Sequence, residues 1–139
     1  MGKEEVIELL DLRPNNWYIS REKLDSVREA WERGLQDNLP PVLVSYIEGQ
    51  ASLIDGHSRA YAAYERGETK MRAHIEDLKD IEGSSDLYIH IHKEGPRLGI
   101  TSITDLSDRI LEPDDYQQKW IGYCSNWFKE NYKTNDTDI

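Results

Sequence analysis

An apolar run at residues 51–54 gives way to a helical pattern at residues 60–66, and the five residues between them are Asp55-Gly56-His57-Ser58-Arg59. A strand that turns through glycine into a helix points its first backbone N–H groups outward, unpaired, at the positive end of the helix dipole. A histidine, a hydroxyl and an arginine in the same turn add side-chain donors and a fixed charge. Together these are the parts of an oxyanion site, and a phosphate is the usual occupant.

The surrounding pattern puts this turn in a small α+β unit. Pro40-Pro41 breaks any helix, and Val42–Ile47 is rich in β-branched and aromatic residues. Glu48-Gly49-Gln50 offers a hairpin turn, and the returning strand leads into the glycine turn. After the turn, Ala60, Ala63 and Tyr64 form the buried stripe of a helix that Gly67 ends, and residues 70–75 re-enter the sheet. Upstream, residues 6–12 read as a short strand or turn, followed by the loop Arg13-Pro14-Asn15-Asn16. Ser20 is a good N-cap for a helix carrying Leu24, Val27, Ala30 and Trp31 at helical spacing up to Gly34.

Residues 77–85 are rich in Asp, Glu, Gly and Ser and read as a connector. Beyond it, Leu87, Ile89 and Ile91 alternate as in a strand, but Ser84, Ser85 and Asp86 make a helix cap and Gly95-Pro96 a stop, which favours helix. Ile103, Leu106, Ile110 and Leu111 suggest another short helix, and Pro113 begins a last one. Tyr116, Trp120, Cys124, Trp127 and Phe128 recur on it at steps of three or four, so its aromatics should face inward. The expected organisation is a core over residues 1–80 with a helical extension, residues 81–139, packed on it.

At 139 residues the chain can bury a core of its own, and 27 acidic against 17 basic residues give a net charge of −10. That field opposes a nucleic-acid backbone, so direct DNA binding is not expected. With one cysteine, Cys124, no internal disulfide can form. Neither a signal peptide nor a membrane-spanning stretch is apparent, and a cytoplasmic location is expected.

The stretch Leu53-Ile54-Asp55-Gly56-His57-Ser58-Arg59-Ala60-Tyr61-Ala62-Ala63-Tyr64, with Leu39-Pro40-Pro41-Val42 before it, resembles the ParB N-terminal/sulfiredoxin superfamily. The resemblance covers residues 10–77 and implies a ParB/sulfiredoxin-like fold with nucleotide phosphates at the helix N-terminus. Gly56 and Arg59 match the Gly-x-x-Arg element of ParB proteins. His57 stands where sulfiredoxins have their reactive cysteine, so sulfinic-acid reduction is excluded. ParB proteins add a helix-turn-helix domain and a dimerising tail, usually basic, whereas this acidic chain reads as at most three short helices after the motif, so partitioning of DNA is not expected. Free-serine kinases of the same fold have Asp-Gly-His-His-Arg, matched by Asp55, Gly56, His57 and Arg59 but not by Ser58. Their glutamate after a proline in the first loop has no counterpart, since Asn15 and Asn16 follow Pro14; Glu22 is the substitute if its helix faces the pocket.

From this resemblance ATP or ADP with Mg2+ is the expected ligand, with phosphoryl transfer to a small hydroxylated metabolite as the associated reaction. Gly56 would allow close approach of the phosphates, Ser58 and Arg59 would donate to them, and His57 would orient or stabilise the transferred group. Asp55 either meets a hydroxyl or magnesium or braces the turn; Asn15 and Asn16 would stand on the acceptor side. Two non-catalytic readings stay open: a nucleotide-binding module acting through a protein partner, with DNA reached only indirectly, and an interaction scaffold. His90 and His92 invite a metal reading on a strand but diverge on a helix, where they read as solvated or capping; no protein metal site is expected. His74 reads as a strand surface residue and Cys124 as a small buried hydrophobe. The tryptophans read as core, except that Trp17, with Tyr18, could wall a pocket or stack on a base.

Overall fold

The structure is a computed structural model that describes residues 2–132. The expected α+β architecture, a small mixed sheet with packed helices and a helical C-terminal extension, is the one the chain adopts. Strands β1 (Lys3–Glu8), β2 (Arg13–Pro14), β4 (Val42–Ile47), β5 (Gln50–Asp55) and β6 (Lys70–Ile75) form one sheet in the order β1-β6-β4-β5-β2. The β1/β6 and β4/β5 pairs are antiparallel, and the β4/β6 and β2/β5 pairs are parallel. A second, two-stranded sheet pairs β3 (Ile19–Ser20) in parallel with β7 (Ile110–Leu111).

Helix α1 (Arg21–Glu32) starts where Ser20 accepts from the Lys23 N–H, a cap of about 1 kcal/mol. It ends in a Schellman turn: Gly34 takes φ +72°, and Leu35 N–H and Gly34 N–H donate to Ala30 and Trp31 carbonyls. Helix α2 (His57–Glu65) ends the same way at Gly67, with Glu68 N–H on the Ala63 carbonyl and Gly67 N–H on that of Tyr64. These local stops, both placed by glycine, set the lengths of the two helices that bound the site.

The C-terminal part comprises α3 (Ser85–Glu94), 3-10 turns at Gly95–Leu98 and Ile103–Leu106, and a final helix built from α4 (Pro113–Tyr116), a π turn (Gln117–Ile121) and α5 (Gly122–Asn131). Ser84 caps α3 by accepting from the Leu87 N–H at 3.2 Å, so the cap decides between helix and strand there. This part does not form a core of its own. Ile91, Ile100, Ile103, Leu106 and Trp120 join Leu9, Leu12, Trp17, Leu24, Val42, Val44 and Leu53 in one buried cluster.

Three expectations are corrected. The first strand runs Lys3–Glu8 and gives way to a 3-10 turn at Leu9–Asp11, where Leu9 is fully buried; the tertiary pairing with β6, not the apolar run, sets its limits. The helix drawn through Ile103, Leu106, Ile110 and Leu111 is only a 3-10 turn, because Ile110 and Leu111 pair with Ile19 and Ser20. On the last helix Trp120 is buried and Tyr116, Cys124 and Trp127 are half-buried, but Phe128, at the margin of the stripe in α5, is exposed.

Candidate functional site

The β4/β5 ladder shifts register between Leu43 and Val44, leaving Ile54 as the extra residue of a bulge. A bulge re-aims the strand that carries it, and this one lies immediately before Asp55-Gly56. Gly56 then takes φ +108°, which a residue with a side chain rarely adopts. A Cβ there would fall 2.6 Å from Val42 Cγ1 and 2.8 Å from Arg59 Nη2, so close packing also demands glycine.

The turn opens onto a cleft of about 600 Å3. Its walls come from the segment Asn16 to Ser20, the first turns of α1 and α2, the end of β5, and Tyr116 of the last helix. The first turns of α1 and α2 therefore border one space, and the uncapped start of α2 offers its dipole to an anion held there. No side chain caps α2: its first helical hydrogen bond runs from Ala60 N–H to the Gly56 carbonyl at 2.9 Å, leaving the preceding N–H groups without helical partners.

Arg59 lies along the cleft and is mostly shielded. Its Nη2 is 3.7 Å from Asp55 Oδ2, an ion pair too long to be a hydrogen bond, and its buried Nε has no hydrogen-bond partner among the described residues. A guanidinium this poorly matched within the protein retains most of its donor capacity for a ligand.

His57 is buried, and its Nε2 accepts the Asn15 backbone N–H at 3.0 Å. An acceptor Nε2 must be unprotonated, so the neutral ring carries its proton on Nδ1. Burial, helped by the adjacent Arg59, pushes its pKa down to about 3. His57 is thus a neutral, fixed donor near the turn; its Nε2 is not free to take a proton from a substrate.

Of the other residues singled out in the sequence, Asp55, Gly56, His57, Ser58, Arg59, Glu22 and Asn16 line the cleft together. Glu22 is exposed in the first turn of α1. Asn15 stands behind the wall instead: it is buried, and its Nδ2 donates to Ser52 Oγ at 3.0 Å and the Tyr88 carbonyl at 2.9 Å. Its neighbour Asn16 accepts the Tyr18 N–H on Oδ1 and donates from Nδ2 to the Tyr116 hydroxyl. Tyr116, like Lys23 and Ser26, is a lining residue that sequence reasoning missed as a site residue. Its helical spacing marked it as core, and nothing local signals a partner so far along the chain.

Trp17 and Tyr18 part company. Trp17 is buried against Trp120, Tyr123 and His90, while Tyr18 lines the cleft with the Arg109 guanidinium 4.8 Å from its ring centre. The histidines of α3 are neither solvated nor capping. His92 is 1 % exposed and its Nε2 meets Arg13 Nη1 at 3.3 Å, and His90 bonds the Tyr123 hydroxyl and stacks on Trp127. On a helix, side chains two positions apart face different ways, which is why each found a separate partner. Among the described residues no group of three or more His, Cys, Asp and Glu is placed to hold a metal. Cys124 is half-buried, and desolvation pushes its thiol up to about 11. No described helix is long and apolar enough to cross a membrane.

No family model and no curated protein matches the chain. Among solved structures it is similar to a protein of Agrobacterium tumefaciens, with 17% identity over 76% of this chain and a TM-score of 0.52. It spans 62% of that protein's length, and the likeness is one of fold. It is also similar to sulfiredoxin from Arabidopsis thaliana (19% identity, 63% of this chain and 96% of that one, TM-score 0.41). A pNOB8-like ParB N-domain is a further neighbour (18% identity, 64% and 35%, TM-score 0.41). At these scores neither carries an activity to this chain.

Proposed function

We propose that the protein binds a nucleoside phosphate, ATP or ADP with magnesium, in the cleft at the start of α2, and that the bound nucleotide donates a phosphoryl group to a small hydroxylated metabolite. The observation that carries the reading is the uncapped N-terminus of α2 beside an arginine whose Nε lacks a partner, both on a cleft of about 600 Å3. That volume lies within the range of small-molecule sites.

Each residue has a role that follows from its surroundings. Gly56 lets a phosphate approach the backbone, Ser58 and Arg59 donate to its oxygens, and the Nδ1–H of His57 adds a donor that carries no charge. Magnesium would neutralise phosphate charge, with Asp55 as the carboxylate of the turn nearest that role. Glu22, on the same cleft, would take the acceptor hydroxyl's proton as its oxygen attacks the terminal phosphorus and the nucleoside diphosphate (from ATP) or monophosphate (from ADP) leaves. Asn16 stands on the acceptor side.

A second reading, nucleotide binding without turnover and signalling to a protein partner, is favoured by one observation: Glu22 is exposed to solvent and not enclosed, as a base that must exclude water would be. Calorimetric titration with ATP, ADP and CTP in the presence of Mg2+ tests the common core of both. Saturable binding by the wild type, lost in Arg59→Ala, is expected; no binding of any nucleotide would overturn it. Product formed from bound nucleotide and a hydroxylated acceptor then selects the first reading over the second.

A further inference from the structure

The Asn16 amide can face only one way. The Tyr18 N–H can do nothing but donate, so it fixes Oδ1 as its acceptor at 2.9 Å; Nδ2 is left to donate to the Tyr116 oxygen at 2.7 Å. The Tyr116 hydroxyl therefore receives a hydrogen bond from Asn16 and keeps its own proton, which has no acceptor among the described residues. Desolvation raises its pKa against the opposing effect of Asn16, so the group remains a donor at neutral pH. Tyr116 lines the cleft that the start of α2 opens onto.

The backbone shows the same placement. Tyr116 is the last residue before the π turn Gln117–Ile121, and Trp120 within that turn is buried against Trp17 with ring centres 5.4 Å apart. A π turn adds a residue per turn and so re-aims the side chain before it relative to the one anchored after it. Trp120 is held in the core, and Tyr116 before it packs partly against that core while also lining the cleft.

We infer that Tyr116 is a specificity-determining residue, whose hydroxyl, oriented by Asn16, donates to an oxygen on the organic part of a phosphorylated ligand while the α2 turn holds the phosphate. This rests on the phosphate reading above. The oxygen belongs either to a nucleoside or to the carboxylate of a phosphorylated hydroxy acid, and the choice of probes separates the two.

Calorimetry of wild type, Tyr116→Phe and Arg59→Ala would use three probes with Mg2+: inorganic pyrophosphate, ADP and 3-phosphoglycerate. Tyr116→Phe is expected to leave pyrophosphate affinity within about twofold and to weaken one of the two organic ligands about five- to tenfold, the loss of one hydrogen bond. Arg59→Ala is expected to weaken every probe that binds. Equal loss for pyrophosphate in Tyr116→Phe would make its role structural, and no loss on any organic probe that the wild type binds would remove the contact; either overturns this inference alone. A wild type that binds none of the three overturns the phosphate reading and this inference with it.

Discussion

The backbone N–H of Asn15 donates to Nε2 of His57 at 3.0 Å, and this one bond fixes the imidazole's tautomer, orientation and charge together. A protonated ring would turn an N–H toward an N–H. The folded pKa of about 3 lies below the ordinary value of 6.5, so between the two the unfolded chain binds a proton that the folded one does not. His57 therefore contributes stability that is whole above pH 6.5 and lost as pH falls towards 3, at about 1.4 kcal/mol per pH unit. In urea denaturation at pH 7, 5.5 and 4.5, His57→Gln is expected to lose less stability on acidification than the wild type. Parallel losses would show that the ring is not held neutral. His92, lowered by burial and Arg13, works in the same direction and is present in both proteins.

Gly56→Ala combines a left-handed φ with a Cβ 2.6 Å from Val42 Cγ1, whereas Gly49→Ala meets a left-handed φ in open space. The first is expected to cost about 2 kcal/mol or more and the second about 1 kcal/mol. Urea midpoints compare them directly, and equal losses would argue against the tight packing over the turn.

Arg59→Lys keeps the charge but replaces a planar fork by a point donor. Affinity for pyrophosphate or ADP is expected to fall roughly tenfold, by calorimetry, with the melting temperature little changed. Full retention would mean that the site reads charge alone.

Glu22→Gln separates chemistry from binding. If Glu22 is the base, single-turnover phosphoryl transfer falls by about two orders of magnitude while nucleotide affinity stays within twofold. Unchanged turnover would assign the proton to another group.

Trp120→Ala removes the aromatic anchor that packs on Trp17 and is expected to cost about 3 to 5 kcal/mol; Phe128→Ala, at 42 % exposure eight residues further on, should cost about 1 kcal/mol or less. Thermal unfolding ranks the two, and the reverse order would contradict the placement of the last helix.

What could be read in advance was what neighbours along the chain decide. Ser20 and Ser84 cap their helices, Gly34 and Gly67 close theirs, and Gly56 turns β5 into α2, each through chemistry confined to a few residues. The same locality made Gly56 to Arg59 visible as a group. Hidden were the features that depend on distant partners: Ile110 and Leu111 became a strand because Ile19 and Ser20 lie beside them, and Asn15 became a buried brace because Ser52, His57 and Tyr88 converge on it. Helical periodicity marks a stripe but not how much body there is to cover it, so Phe128, at the stripe's margin, read as inward and is exposed.

Asn16 and Tyr116 meet across 100 positions of sequence. During synthesis, then, a chain that has emerged only as far as β6 contains the residues of the turn and of both helix starts but lacks one flank of the pocket. The wall that would distinguish one phosphorylated compound from another is added only when the last helix docks. Any ligand gripped from both sides acts as a clasp between an early and a late part of the chain, so its signature should include slower protease cutting near the last helix, far from the phosphate it carries.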